Sequence, residues 1–324
     1  MRRYSVIIFV DNHWDVFPLL KDLANQTLSP YEILIIDECN SGQCELVENS
    51  FKTRMNIRYL NRNNKQPGYS RNFGFDEAKG DYFIVFDSHC EIPTNYLEKV
   101  DKSLNENYLD SFVGPFKSME SASLKEKAIA YALTIFYSLE TSLDKSKEYE
   151  RLLFNSFNFG LSKEVVQKTG GYILKEHGDD IELGLRIKKA GFKVGVINDA
   201  YVYHNRIKDF KQLFQEMNGY GKGRINVYRL FPKELKTLHF FPIVFLCFCI
   251  IAFLAFVLLS PLYMVMMIIL FFYSLFILID STLKIRSIQA GLLSIPAVFI
   301  ELWGYGMGFI SELYRELSGT KKSI

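Results

Sequence analysis

Residues Tyr82–Pro93 read YFIVFDSHCEIP. An apolar run, Tyr82 to Phe86, gives way abruptly to Asp87, Ser88, His89 and Cys90. A short continuous apolar run of this kind is expected as a strand buried on both faces. Its carboxyl end carries a carboxylate and an imidazole two residues apart. Successive strand side chains alternate, so positions 87 and 89 are expected to point the same way. Two readings are open: a metal-ligating pair, or the polar end of an ordinary strand.

Working outward, three more segments have the same character. YSVIIFV (4–10) ends at Asp11, YEILIID (31–37) ends at Asp37, and NIRYLNR (56–62) follows. Between them, 14–26 and 69–78 carry helical spacing, the first with Val16, Leu19, Leu20 and Leu23 on one face. Strands alternating with helices imply an α/β, Rossmann-like, doubly wound parallel sheet. Ligands of such sheets bind outside the carboxyl ends of the strands, where Asp11, Asp37 and Asp87 are expected. Several acids crowded there suit a metal or a polyhydroxy ligand. The chain has no Walker loop and no Gly-x-Gly-x-x-Gly after its first strand, so glycine-loop nucleotide binding is not indicated. A phosphate would have to be met by a metal and basic side chains. No nucleic-acid partner is expected.

The 324 residues suffice for one large domain or two small ones. A formal net charge of +2 and 49% hydrophobic residues conceal a division. Before Phe240 the chain reads as an ordinary α/β protein; from Phe240 to Ile279 it has no charged residue. Segments 240–259 and 262–279, parted by Ser260-Pro261, are expected as a transmembrane hairpin, because about 20 apolar residues span a bilayer core. Lys222, Arg224, Arg229, Lys233 and Lys236 precede it, and Lys284 and Arg286 follow. Both flanks are therefore placed on the cytoplasmic side. Segment 290–310 carries Pro296, Glu301 and the run Gly304, Gly306, Gly308. A third span is the favoured reading and puts the tail, 311–324, outside; re-entrant and interfacial placements remain open. The five cysteines lack zinc-type spacing and are read as reduced thiols. The apolar run Val6–Val10 is too short for a signal-peptide core, so the N-terminal part is expected in the cytoplasm.

Four stretches carry a resemblance: YSVIIFVDN, LANQTLSPYEILIIDECNSG, GYSRNFGFDEAKGDYFIVFDSHCEIPTNYL and HGDDIELGLRIKKAGFKV. In order and spacing they resemble the inverting family 2 glycosyltransferases of the GT-A fold, from about Tyr4 to His204. FKQLFQEMNGYGKGR followed by apolar spans is similar to the membrane-bound exopolysaccharide, succinoglycan-type branch. The division this implies is a GT-A domain (1–206), a basic membrane-proximal segment (207–239), a transmembrane region (240–310) and a short tail.

The resemblance implies roles residue by residue. Asp87 and His89 stand where such enzymes hold a divalent cation with Asp-x-Asp; the polypeptide N-acetylgalactosaminyltransferases use Asp-x-His there. Imidazole suits first-row metals, so Mn²⁺ is favoured over Mg²⁺. His204 matches a histidine that completes the metal shell, with a structural histidine as the alternative. Asp179 and Asp180 match the acid pair that opens a helix. Asp180 is taken as the base and helix capping as its rival reading. Glu182 and Arg186 have the spacing of a helix-surface pair. Asp11, Asp37, Glu38, Arg71 and Asp87 match donor-binding positions. Val10 stands where a threonine is common, and Asp37-Glu38 where two aspartates are usual. Lys222 and Arg224, on a glycine-interrupted and flexible stretch, either close over the diphosphate or reach lipid headgroups. FNSFNFGLSKEVVQKTGGY (154–172) resembles the floor of the acceptor site. Ala128–Phe136 is expected against the membrane or an acceptor lipid.

The function so implied is transfer of a sugar, with inversion, from a nucleotide-sugar (a UDP-sugar by default) to a lipid-linked or glycan acceptor at the cytoplasmic membrane. Two rivals stand beside it. A processive synthase calls for more spans and a Gln-x-x-Arg-Trp gate, absent here, unless a partner supplies them. A nucleotide-sugar-binding scaffold would account for the altered Asp-x-His but not for the retained GDDIELGLR.

Overall fold

The computed structural model describes residues 2–10, 16–37, 50–61, 67–117, 122–141, 157–174, 177–204, 207–258 and 261–319. Asp11, Glu38, Cys39 and Cys44 lie outside them. The chain forms two compact units: Met1–Met119 with Asp144–His204, and Glu120–Leu143 with Asn205–Ile324.

The first unit is built on strands β1 (Tyr4–Val10), β2 (Glu32–Asp37), β3 (Ile57–Asn61) and β4 (Tyr82–Asp87). β2, β1 and β4 are almost wholly buried, as their uninterrupted apolar sequences require. Shorter strands follow: β5 (Cys90–Glu91), β6 (Ser111–Val113), β7 (Phe116–Lys117), β8 (Asn158–Ser162), β9 (Val194–Val196) and β10 (Val202–His204). The main sheet has the order β3-β2-β1-β4-β8-β6-β9, and a small sheet the order β5-β10-β7. Helices α1 (Phe17–Ala24), α2 (Pro67–Glu77), α3 (Tyr96–Glu106), α5 (Lys163–Thr169) and α6 (Asp179–Lys189) belong to this unit, and α4 (Leu124–Thr141) belongs to the second. One core holds Val6, Ile8, Leu19, Leu20, Ile33, Ile84 and Val100. The other holds Ile7, Leu34, Phe75, Phe83, Val85, Leu183 and Ile187. Alternate residues of each strand thus face opposite layers.

The sheet is mixed rather than wholly parallel. β8 runs antiparallel to both β4 and β6. The Cys90 thiol, just beyond the carboxyl end of β4, lies 3.4 Å from the Phe157 carbonyl. The chain therefore enters β8 at the carboxyl end of β4 and can only run back along it. Gly160 makes this fit, since a Cβ there would stand 2.3 Å from the Phe112 ring.

The second unit contains α4, α7 (Phe210–Leu230), α8 (Phe241–Val257), α9 (Leu262–Ile285) and α10 (Ile288–Leu317). Three helical segments, Thr237–Val257, Leu262–Ile285 and Ile288–Leu317, are long and apolar enough to cross a membrane. Their outward faces carry exposed Phe253, Leu254, Phe271, Phe272 and Phe276. α10 contains Pro296 and closes onto α7 through glycine. A Cβ at Gly308 would stand 2.0 Å from the Asn218 carbonyl oxygen, and one at Gly221 2.1 Å from that of Tyr305. Small residues thus let the two backbones touch. The NGYGKGR stretch, expected to be flexible, lies within the continuous helix α7. Gly221 serves this close approach; Gly219 and Gly223 are buried, as is Arg224, while Lys222 is half-buried.

Candidate active site

The carboxyl ends of β2, β1 and β4 lie side by side, with Val10 paired to Asp37 and Phe9 to Asp87. Asp37 is fully buried and accepts a hydrogen bond from the Tyr59 hydroxyl on β3. Buried among apolar strands, it needs that donor.

β4 ends at Asp87, and Ser88 and His89 form a turn into β5. Strand alternation therefore does not carry Asp87 and His89 to one side; the turn does. His89 Nδ1 lies 3.0 Å from Asp87 Oδ1, and Ser88 Oγ 3.2 Å from the same nitrogen. β10 brings in His204, paired in register with Cys90. Its Nε2 lies 3.7 Å from Asp87 Oδ2. The imidazole stacks face to face on the Phe157 ring, with centroids 3.9 Å apart. Nε2 of His204 is buried without a hydrogen-bond partner, an arrangement that costs free energy unless a ligand completes it. Among the described residues, no group of three or more His, Cys, Asp or Glu is arranged to hold a metal ion by itself. Asp87 thus stands between two imidazoles, with His89 at one oxygen and His204 near the other.

Across from this group, α6 opens after Gly178, whose φ of 91° only glycine adopts freely. Asp179 and Asp180 are its first two residues, and no side chain caps the helix. The Asp179 carboxylate accepts backbone N–H groups of this first turn, so it also serves the helix start. Arg71 on α2 donates from Nη1 to Asp179 Oδ2 at 2.6 Å and to Asp180 Oδ1 at 2.8 Å. The Tyr172 hydroxyl donates to the same Asp180 oxygen at 2.9 Å. The Arg71 guanidinium lies over the rings of Phe9 and Tyr172. Burial works against its charge, but Asp180, Asp179 and, more distantly, Asp87 hold it firmly protonated. Burial, and then the neighbouring Asp180 charge, push Asp179 up to about 7 despite Arg71. A buried carboxylate, Asp179, and a half-buried one, Asp180, share one cation.

Glu182 and Arg186 are more than a surface pair. Glu182 is fully buried, and its carboxylate receives two nitrogens of Arg186. Arg186 also donates to the carbonyls of Thr169 and Gly171, fixing the turn that presents Tyr172. Tyr172 and Phe157 were not legible as site residues. Their partners lie 8 and 47 positions away (Asp180, His204), and only the placing of 154–172 at the acceptor floor pointed to the segment. Lys222 and Arg224 belong to the second unit, and Asp11 and Glu38 to undescribed segments.

A mixed sheet with acids at its carboxyl ends, followed by apolar helices, is the GT-A glycosyltransferase arrangement. The mannosyltransferase PcManGT from Pyrobaculum calidifontis, solved with GDP-Man and Mn²⁺, superimposes with a TM-score of 0.65 at 15% identity, covering 93% of this chain and 87% of that one. Residues 5–170, about half of the chain, match Glycosyl transferase family 2, and the protein belongs to that family. Among curated relatives, the poly(ribitol-phosphate) β-N-acetylglucosaminyltransferase TarS of Staphylococcus aureus is 22% identical over 174 residues, 51% of this chain. The succinoglycan biosynthesis protein ExoA of Rhizobium meliloti is 27% identical over 149 residues, 45% of this chain. The match spans only 30% of TarS and 44% of ExoA.

Proposed function

We propose that the protein is a membrane-anchored, inverting glycosyltransferase that moves a sugar from a nucleotide-sugar to a lipid-linked or glycan acceptor in the making of a surface polysaccharide or glycoconjugate. The observation that carries this reading is the Asp179–Asp180 pair, one buried and one half-buried, set by Arg71 near the carboxyl ends of β1 and β4. Asp180 is assigned as the base. It takes the proton of the acceptor hydroxyl while that oxygen bonds to the anomeric carbon. The bond from that carbon to the diphosphate breaks, and the diphosphate leaves with the electron pair on the opposite face. A positioned carboxylate contributes about 10²–10⁴-fold in such a step.

Asp87, His89 and His204 are assigned as cation ligands, with Mn²⁺ favoured because two of the three are imidazoles. A cation held there supplies positive charge to the nucleotide diphosphate. Phe157 keeps the His204 ring turned so that Nε2 faces Asp87. Asp37, with Asp11 and Glu38, is assigned to the base and ribose. The nucleoside is uridine by the family resemblance, and the GDP-Man of PcManGT makes guanosine the next to try. Lys222 and Arg224 are left between the diphosphate and the membrane surface. The apolar helices make sense if the acceptor is itself held in the cytoplasmic membrane, with the sheet domain on the cytosolic side.

The test is binding of UDP and GDP, by calorimetry, with Mn²⁺ and with EDTA. Metal-dependent affinity that falls in His204→Ala supports the reading. Binding indifferent to both, with no turnover, points to a scaffold subunit.

A further inference from the structure

Arg71 is the residue whose surroundings ask most for a role. A cation meant for a nucleotide diphosphate should keep its charge for the ligand. The charge of Arg71 is already shared between two carboxylates at 2.6 and 2.8 Å. Both protein contacts on Asp180, from Arg71 Nη1 and from the Tyr172 hydroxyl, fall on one oxygen, Oδ1.

The support behind Tyr172 is over-determined. Its backbone N–H donates to Asn72 Oδ1 at 2.7 Å, and its carbonyl accepts from Asn72 Nδ2 at 2.8 Å. Its ring lies parallel to Phe75, with centroids 6.0 Å apart. The preceding Gly171 has φ 72°, and Arg186 holds its carbonyl. Helices α2 and α6 thus fix a phenol whose hydroxyl meets one carboxylate oxygen.

We propose that Arg71 and Tyr172 are positioning residues for the base: they commit Oδ1 of Asp180 and thereby present Oδ2 as the oxygen that takes the acceptor's proton. This rests on Asp180 being the base. The proton passes from the acceptor oxygen to Oδ2, the acceptor oxygen bonds to the anomeric carbon, and the diphosphate departs. Two donors on Oδ1 hold the carboxylate in place and stop it from rotating. The groups facing Asp180 are Arg71 from α2, Tyr172 from the segment before α6, and Asp179 from its own helix; Asp87 acts on Arg71 from the end of β4.

The experiment uses the full chain in nanodiscs, as wild type, Tyr172→Phe, Arg71→Lys, Arg71→Met and Asp180→Asn. Diphosphate release from UDP-glucose, UDP-N-acetylglucosamine and GDP-mannose gives kcat and donor KM, with water or added lipid extract as acceptor. UDP and GDP binding with Mn²⁺ gives Kd. Tyr172→Phe should lower kcat about tenfold and Arg71→Met about 100-fold, within the range of base catalysis. In Tyr172→Phe, donor KM and nucleotide Kd should stay within about twofold. Arg71→Lys should recover part of the loss. Arg71→Met or Tyr172→Phe at wild-type kcat would overturn the proposal, and so would a nucleotide Kd raised tenfold or more in Tyr172→Phe. If Arg71→Met does not fold, Tyr172→Phe decides. Without wild-type turnover the Tyr172→Phe binding arm decides: unchanged Kd is the expected result and a tenfold loss overturns the proposal. An Asp180→Asn that turns over normally removes the base assignment itself, whatever Arg71 does.

Discussion

Asp179 and Asp180 are neighbours with opposite expected behaviour. Asp179 holds its proton up to about 7, against an ordinary value of 3.8, through burial and the Asp180 charge. Between those values the folded protein binds more protons than the unfolded chain, so this group's contribution to stability falls as pH rises from about 4 to about 7. Asp179→Asn, which mimics the protonated acid, should remove that slope from thermal melts taken across the range and keep most of the turnover. Asp180→Asn should cost about 10²–10⁴-fold in turnover. Equal losses in the two variants would contradict the assignment. The acids at strand and helix ends were legible because each follows an apolar run or opens a periodic one. Tyr172, Asn72 and Phe157 were not, because what gives them a role is tertiary: Asn72 and Tyr172 meet across 100 positions.

At the scale of elements, alternation of apolar runs with helical spacing was enough to give β1 to β4, α1 and α2, while α6 came from the family pattern of an acid pair that opens a helix. It could not give the direction of β8, which depends on where the chain re-enters the sheet. Nor could it show that the strand stops at Asp87, or that Gly221 in α7 marks a helix contact rather than a hinge. Gly171 is the sharpest backbone requirement at the site. It has φ 72°, and a Cβ would stand 2.2 Å from Asn72 Oδ1. Gly171→Ala should lower stability by about 1–2 kcal/mol from the left-handed conformation alone and lower turnover by disturbing Tyr172, read by melting and by diphosphate release. In α10, Glu301 is buried with Oε1 unpartnered. Leaving such a group in an apolar bundle costs about 1–3 kcal/mol, so Glu301→Leu should raise the melting midpoint in detergent. A lower midpoint would mean that the carboxyl has a ligand.

The whole molecule joins a family 2 sheet domain to helices able to cross a membrane. Charge placement around the apolar segments sets the proposed topology: both ends of the first hairpin inside and the tail after α10 outside. A reporter active only outside the cell, fused after Leu317, should be active, and one fused after Arg286 should be silent. The reverse pattern at Leu317 would make α10 re-entrant or interfacial. The central claim is that Asp87, His89 and His204 serve a metal-dependent sugar transfer whose base is Asp180. The most direct measurement is nucleoside diphosphate release from a panel of nucleotide-sugars in nanodiscs, with Mn²⁺, Mg²⁺ or EDTA, for wild type, His89→Ala and Asp180→Asn. Release that requires the metal, is greatest with Mn²⁺ and is lost in both variants is the expected result. Release that survives EDTA and His89→Ala would contradict it.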